Sequence, residues 1–420
     1  QENSFMQDSI SPRYHARDVG LMRAKKNNAV VILSSATPSL ESFYNQKKNK
    51  LQYLRLTERY GGAKQPKIHL VDMVSDQQDS GKYGQVVSSL LQNKIEERLI
   101  NKEQVILLQN RRGHSPIIKC SDCGKISTCP HCQVAVSYHS NSDILLCHFC
   151  GFYERKSSKE CAFCQSESIV YTGTGTQKVE EYIKKTFPSA SLARLDTDSI
   201  NSGEKVSSIL NSFNNAEIDI LLGTQMIAKG LDFPNTTLVG IINADLGLYL
   251  PDFRSEEKIF QLIYQAAGRS GRSNKRGEVV IQTYSIDNPV IKYASELNIS
   301  EFYNKMLNER KELNYPPYSW LAKIEIHGSD KKSVFNFSKS ISKSIKATYD
   351  GLNILGPAPC YLEKLRNKYR FQIVFKSNKK NDKNGRKIHL FIEQINKDLK
   401  KIHNPRNCKV KIHFDPVSLI

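Results

Sequence analysis

Four Cys-x-x-Cys pairs, Cys120/Cys123, Cys129/Cys132, Cys147/Cys150 and Cys161/Cys164, fall within 45 residues of this 420-residue chain. No other feature restricts the fold as tightly. Two thiolates three positions apart on one tight turn face a single ion, and two such turns close a tetrahedral sulfur site that suits zinc. Eight thiolates therefore imply two Zn2+ ions. Four thiolates leave no open coordination position, so the metal is expected to be structural. Sulfur-only ligation also suits an iron–sulfur cluster, but single clusters take four cysteines at other spacings. Disulfides fit less well, because an α/β chain without a secretion signal is expected in a reducing, cytoplasmic setting. Fourteen residues separate Cys132 from Cys147, near the gap of a zinc ribbon, whereas only five separate Cys123 from Cys129. The expected pairing is nested. Cys129, Cys132, Cys147 and Cys150 hold the inner ion, and Cys120, Cys123, Cys161 and Cys164 the outer one. His131 and His148 lie in turns already supplied with ligands and read as bystanders. Cys360 and Cys408 stand alone and read as small packing residues.

Around this segment, short apolar runs alternate with helical patterns, which favours βαβ units and a parallel sheet. Ala29–Leu33, Gln104–Leu108, Ile169–Tyr171, Ile218–Leu222, Leu238–Ile242 and Val279–Thr283 read as buried strands. Helical periodicity occupies 177–187, 206–213 and 256–267. In the stretch Ser34-Ser35-Ala36-Thr37-Pro38-Ser39, Thr37 reads as a helix cap followed by Pro38 at the first helical position. A doubly wound α/β domain carrying a cysteine-rich insertion is the simplest account. Beyond Asn314-Tyr315-Pro316-Pro317 the order changes to β-α-β-β-α-β, a split βαβ arrangement in a separate small α+β domain. Residues 376–387 read as its polar, mobile loop. The length fits two or three domains, and no apolar run approaches the ~18 residues of a membrane span.

Net charge is +19, and residues 331–420 alone carry 21 basic against 6 acidic side chains. A surplus so concentrated points to a polyanion, nucleic acid first, because neutralising phosphates releases condensed counterions.

Three loops sit where such a fold binds nucleotides. One is Ser34–Ser39. The second is Gly223-Thr224-Gln225-Met226-Ile227-Ala228-Lys229-Gly230-Leu231-Asp232, which leaves the end of an apolar strand. The third is Gln265-Ala266-Ala267-Gly268-Arg269-Ser270-Gly271-Arg272, where two arginines separated by small residues meet a polyphosphate without obstruction. In this order they resemble motifs III, V and VI of superfamily 2 helicases. With the eight-cysteine insertion, the stretch Ala244–Arg254 and the ending Asp415-Pro416-Val417-Ser418-Leu419-Ile420, the chain resembles the PriA-type family of replication-restart DNA helicases along essentially its whole length.

That resemblance implies residues 1–60 as the end of RecA-like lobe 1, 61–290 as lobe 2 with a zinc insertion at 117–168, and 300–420 as a C-terminal domain. It implies Arg272 as an arginine finger on the γ-phosphate and Arg269 as a second phosphate contact. Gly230, Asp232 and Gln265 would lie at the nucleotide, and Ser35 and Thr37 would couple hydrolysis to movement. Thr224 would touch the DNA backbone. Arg13, Tyr14 and His15 resemble an aromatic-rich loop that senses single-stranded DNA. Aromatics interleaved with arginine suit base stacking in their own right, and a packing patch at a helix start is the other reading. The implied activity is ATP- and Mg2+-dependent 3′-to-5′ unwinding at stalled forks. The implied partners are forked DNA, primosome proteins and single-stranded-DNA-binding protein.

No Gly-x-x-x-x-Gly-Lys-Ser/Thr loop and no Asp-Glu-x-His box occurs in the sequence. In the resembling family these precede the segment matched here, so an N-terminally truncated chain with little ATPase activity of its own is expected. A non-catalytic zinc scaffold, or another zinc-bearing repair helicase of superfamily 2, are the competing readings. The scaffold leaves the arginine motif without a purpose.

Overall fold

The computed structural model describes residues 5–7, 14–56, 58, 62, 64–81, 84–109, 117–120, 127–131, 136–139, 143–146, 152–155, 160–167, 169–172, 176–195, 203–224, 227, 233–245, 248, 252–271, 275–348, 352–399 and 407–419. A short hairpin, β1 (Met6–Gln7) with β2 (Tyr14–His15), leads into α1 (Ala16–Lys26), and an extended stretch then leads to α2 (Leu40–Lys47). Next come β3 (Lys67–Asp72), α3 (Met73–Ser80), α4 (Ser89–Ile100) and β4 (Gln104–Leu108).

The cysteine-rich insertion follows as β5 (Ile117–Cys120), β6 (Ser137–His139), β7 (Ile144–Leu146), β8 (Tyr153–Arg155) and β9 (Ile169–Thr172). The main fold resumes with α5 (Thr176–Thr186), β10 (Leu192–Leu195), α6 (Gly203–Asn214), β11 (Ile220–Gly223), β12 (Thr236–Ile241), α7 (Ser255–Ala267), β13 (Glu278–Thr283), α8 (Pro289–Ser295) and α9 (Ile299–Glu312).

Six strands form one parallel sheet in the order β10-β11-β4-β12-β13-β3. Its central strands are apolar on both faces because both faces are covered. Val105 and Leu107 point to one side, with Leu91 and Ile95 of α4 and Val179 and Ile183 of α5. Ile106 and Leu108 point to the other, with Leu40 of α2, Phe213 of α6, and the apolar faces of α7, α8 and α9. There Phe260 and Phe302 stack with centroids 4.0 Å apart. This is the RecA-like helicase architecture expected. The insertion is a five-stranded sheet, β8-β7-β6-β5-β9, whose β5–β9 pairing is antiparallel and forms the stem that re-enters the main fold.

The remaining elements are β14 (Ser319–Gly328), α10 (Lys331–Thr348), β15 (Asn353–Leu365), β16 (Lys368–Asn378), α11 (Arg386–Leu399) and β17 (Cys408–Phe414). They make an antiparallel sheet ordered β15-β16-β14-β17. Val334, Phe337 and Ile341 of α10 and Ile388, Phe391 and Ile395 of α11 close its core. The β-α-β-β-α-β order and the placing of the third strand between the first two are those of the split βαβ sandwich.

Four local expectations are corrected. Ala29–Leu33 forms no strand and pairs with none among the described residues, and Val30 and Ile32 are 89% and 86% exposed. An apolar run becomes a buried strand only beside another strand. The cap of α2 is Ser39, whose Oγ accepts the Ser42 N–H, so the helix starts at Leu40 rather than after Thr37. Ile169–Tyr171 is a strand, but it pairs antiparallel within the insertion rather than in the parallel sheet. Of residues 376–387, only 379–385 form a loop, because 376–378 belong to β16 and 386–387 to α11. Asp382 is buried and accepts from Lys387 N, Ile388 N and Ser377 Oγ, while its carbonyl accepts from Trp320 Nε1.

Candidate functional site

The most informative contact joins two of the loops singled out above. Gln265, in the last turn of α7, donates to Thr37 Oγ1 at 2.9 Å, across 228 residues of sequence. Thr37 is buried, and its N–H donates to Ser35 Oγ at 3.2 Å. Residues 37–41 run alongside α7 in the opposite sense. Leu40 N donates to Glu257 Oε1 at 3.1 Å, and Glu41 forms a two-pronged pair with Arg254 at 2.6 and 3.2 Å.

Arg269 is half-buried on the turn that follows α7. That turn is fixed by the two residues after it. Ser270 is fully buried, with Oγ 2.9 Å from Thr237 O and 3.0 Å from Glu278 O. Gly271 has φ +66° and donates to Thr236 O, and a Cβ there would lie 2.2 Å from Gly277 N. Only glycine tolerates both conditions. Arg272, Gly230 and Asp232 lie outside the described residues, as does Arg13.

Thr224 leaves the carboxyl end of β11, whereas the Arg269 turn enters the amino end of β13, so they lie at opposite ends of the parallel strands. Thr224 is buried, and its Oγ1 has no hydrogen-bond partner among the described residues. A buried hydroxyl without a partner is costly. Tyr14 is exposed, while His15 is the N-cap of α1 and accepts the Arg17 N–H on Nδ1 at 3.2 Å. Burial, then Arg17, lower the His15 pKa and favour the neutral ring that can accept this bond. Both residues open onto a groove of about 800 Å³ along α1, with Met22, Arg23 and Lys26 among its walls.

The sequence reading missed a buried ionic hub behind these loops. Arg310 of α9 is 2% exposed, with guanidinium nitrogens 2.6 Å from Glu257 Oε2 and 3.5 Å from Glu41 Oε1. It also donates to the carbonyls of Pro316 and Phe253. Burial pushes the Glu41 carboxyl up, but the Arg254 and Arg310 guanidiniums overcome it and hold the group far below the usual carboxylate range. Phe253 stacks flat on Tyr315 at 4.9 Å, and Lys376 caps the Tyr315 ring from the C-terminal domain at 3.4 Å. Ser418 Oγ reaches Asp252 Oδ2 at 2.5 Å. The Arg254/Glu257 spacing of one helical turn was the only sequence signal for this hub; Glu41 and Arg310 carried none.

In the insertion, the side chains of Cys129, Cys161 and Cys164 are described, and only the backbone of Cys120. Cys123, Cys132, Cys147 and Cys150 lie outside the described residues. Cys129 and Cys161 are both buried. Each sulfur accepts a backbone N–H from two residues on, His131 to Cys129 and Phe163 to Cys161, both at 3.4 Å. An N–H aimed at sulfur favours the thiolate, the form that binds metal. The residues present therefore fit zinc. Cys360 and Cys408 are buried in the C-terminal domain, where burial pushes the Cys360 thiol up to about 11.

A parallel sheet with a covering helix, α7, that ends in the Gln265–Arg269 turn is the arrangement expected of a helicase C-terminal lobe, and the family comparison agrees. The helicase conserved C-terminal domain model matches residues 144–274, the primosomal protein N C-terminal domain model matches 311–417, and the PriA DNA helicase Cys-rich region model matches 129–155. The last range holds Cys129, Cys132, Cys147 and Cys150 and none of the other four.

Curated proteins called replication restart protein PriA align along the chain. That of Bacillus subtilis (strain 168) is 36% identical over 420 residues, 100% of this chain and 51% of the relative. That of Rickettsia conorii is 36% identical over 99% of this chain and 62% of its own length, and that of Borreliella burgdorferi 34% over 100% and 61%. Over the length it shares with them the chain is similar to the PriA-type replication restart proteins, and it spans between about half and three fifths of those relatives.

Proposed function

We propose that the chain carries the C-terminal portion of an ATP-dependent 3′-to-5′ DNA helicase that recognises stalled forks and initiates replication restart. The observation that carries this reading is the Thr37–Gln265 hydrogen bond, which ties the Ser34–Ser39 loop to the arginine-bearing turn. Residues 1–60 are read as the end of lobe 1, 61–290 as lobe 2 with its zinc insertion at 117–168, and 300–420 as the C-terminal domain.

ATP with Mg2+ supplies the phosphoryl chemistry. Arg272 meets the charge that develops on the γ-phosphate, Arg269 makes a second contact, and Gly230, Asp232 and Gln265 line the nucleotide. Charge stabilisation of this kind is the main contribution a protein makes to phosphoryl transfer. A change at the nucleotide then passes from Gln265 to Thr37 and Ser35. Thr224, with its unsatisfied hydroxyl, holds the DNA backbone, and Arg13, Tyr14 and His15 sense single-stranded DNA.

Two zinc ions, one held by Cys129, Cys132, Cys147 and Cys150 and one by Cys120, Cys123, Cys161 and Cys164, would keep the insertion folded. Its core among the described residues is only Cys129, Val136 and Leu145 with their neighbours. Primosome proteins and single-stranded-DNA-binding protein are the protein partners, and the setting is cytoplasmic. No described helix is long and apolar enough to cross a membrane.

The test uses the complete protein on forked DNA with ATP and Mg2+. Strand separation of 3′-to-5′ polarity, with ATP turnover raised by single-stranded DNA, is the expected result. Fork binding without ATP turnover would instead support a non-catalytic scaffold. The 420-residue chain alone is expected to hydrolyse little ATP.

A further inference from the structure

The tip of the β15–β16 hairpin leaves its own domain and lands on the metal-binding insertion. At the tip, Leu365 pairs with Lys368, and Arg366 and Asn367 take φ values of +50° and +60°. Two consecutive left-handed residues make the tight turn that suits a two-residue hairpin. Leu365 is no part of the C-terminal core. It packs against Cys129, Val136 and Leu145, alongside Tyr138 and Phe152.

The polar contacts fall on the cysteine turn itself. Lys364 Nζ donates to Pro130 O at 2.5 Å, and Asn367 N donates to His131 O at 3.2 Å. The same turn sends the His131 N–H inward to Cys129 Sγ. Its N–H thus serves the thiolate while its outward carbonyls serve the hairpin. A zinc ion held by four thiolates carries a net charge of about −2, so a lysine ammonium beside the turn is electrostatically favourable. The insertion has little apolar core of its own, so support from outside matters to it.

We propose that the β15–β16 hairpin tip, through Leu365, Lys364 and the Asn367 N–H, is the outer support of the metal-holding turn at Cys129. Metal retention at that site and seating of the C-terminal domain are then thermodynamically linked, each strengthening the other by the same factor. Leu365, Lys364 and Asn367 act here as positioning residues. The inference rests on zinc occupying the Cys129 set, and metal content of the wild-type protein tests that separately.

In the full-length protein, zinc release to a chromogenic chelator is followed for wild type, Leu365→Ser, Lys364→Ala and Asn367→Gly. Removing outer-shell support typically costs ~10-fold or more in metal affinity. One of two zinc equivalents is therefore expected to leave about 10-fold faster in Leu365→Ser, and less markedly so in Lys364→Ala, while the other equivalent is unaffected. Asn367→Gly keeps both the N–H and the left-handed backbone, and is expected to match wild type.

A second measurement needs no variant. Hydrogen exchange across residues 361–369 should rise when wild-type metal is chelated. Wild-type release rates in Leu365→Ser, or hairpin exchange indifferent to metal removal, would overturn the proposal. So would a wild-type protein that holds no zinc.

Discussion

Arg310 and Glu257 are each almost sealed from solvent, and each holds the other's charge in place. Removing one partner of such a pair leaves the other buried and uncompensated, which typically costs about 3–5 kcal/mol. Arg310→Ala is expected to lose stability on that scale in urea unfolding, and a loss below ~1 kcal/mol would show the hub to be unimportant. Asp415 gives a prediction with a sign. Burial pushes its carboxyl up to about 6, while Oδ1 accepts the Leu321 N–H. An unfolded Asp titrates near ~3.9. Between those values the folded chain holds a proton that the unfolded chain has released, so stability falls as pH rises from about 4 to about 6. Asp415→Asn keeps an oxygen for Leu321 and removes the proton, so this slope should flatten. Denaturation midpoints measured at several pH values across the window check it, and an unchanged slope contradicts it.

The turn after α7 shows how little sequence fixes an element when each residue has one task. Gly271→Ala forces a Cβ against the Gly277 backbone at positive φ, and is expected to cost more than ~1 kcal/mol, read as a lower thermal midpoint. A midpoint equal to wild type would refute the packing described for this turn. The central strands β4, β11, β12 and β13 were legible because helices cover both faces and each carries a run of consecutive apolar residues, such as Val105–Leu108 and Val279–Ile281. The sequence reading missed β3 and β10, and the reason is position. They are the two edges of the sheet, where half-buried residues such as His69 and Arg194 break the apolar run. Ala29–Leu33 failed in the opposite direction, since apolar character reports a wish for burial and not the presence of a neighbour. Strand direction was equally invisible at Ile169–Tyr171, because a short apolar run reads the same in parallel and antiparallel sheets. Both Thr37 and Ser39 qualify as caps by type. The choice of Ser39 follows from tertiary contacts, which leave Thr37 Oγ1 to accept from Gln265 and the Leu40 N–H to donate to Glu257.

Across the molecule, contacts that join the β14–β17 sheet to the residues before it include Lys376 on Tyr315, Ser418 on Asp252, and the β15–β16 hairpin on the cysteine turn. None was visible in sequence, because each pairs residues more than 50 positions apart whose types are ordinary on their own. The arginine pair was visible through its company with the other two loops, since two guanidinium groups separated by small residues can meet a polyphosphate without obstruction. What the structure adds is the scaffold that aims the turn: Ser270, Gly271 and the Thr37–Gln265 bond. The most direct measurement is therefore single-stranded-DNA-stimulated ATP turnover by the complete protein carrying Arg272→Ala, with DNA binding measured beside it. Loss of an arginine finger costs roughly 10³-fold or more in turnover, so the account predicts a fall of that order with DNA affinity retained; ATP turnover at the wild-type rate would contradict it.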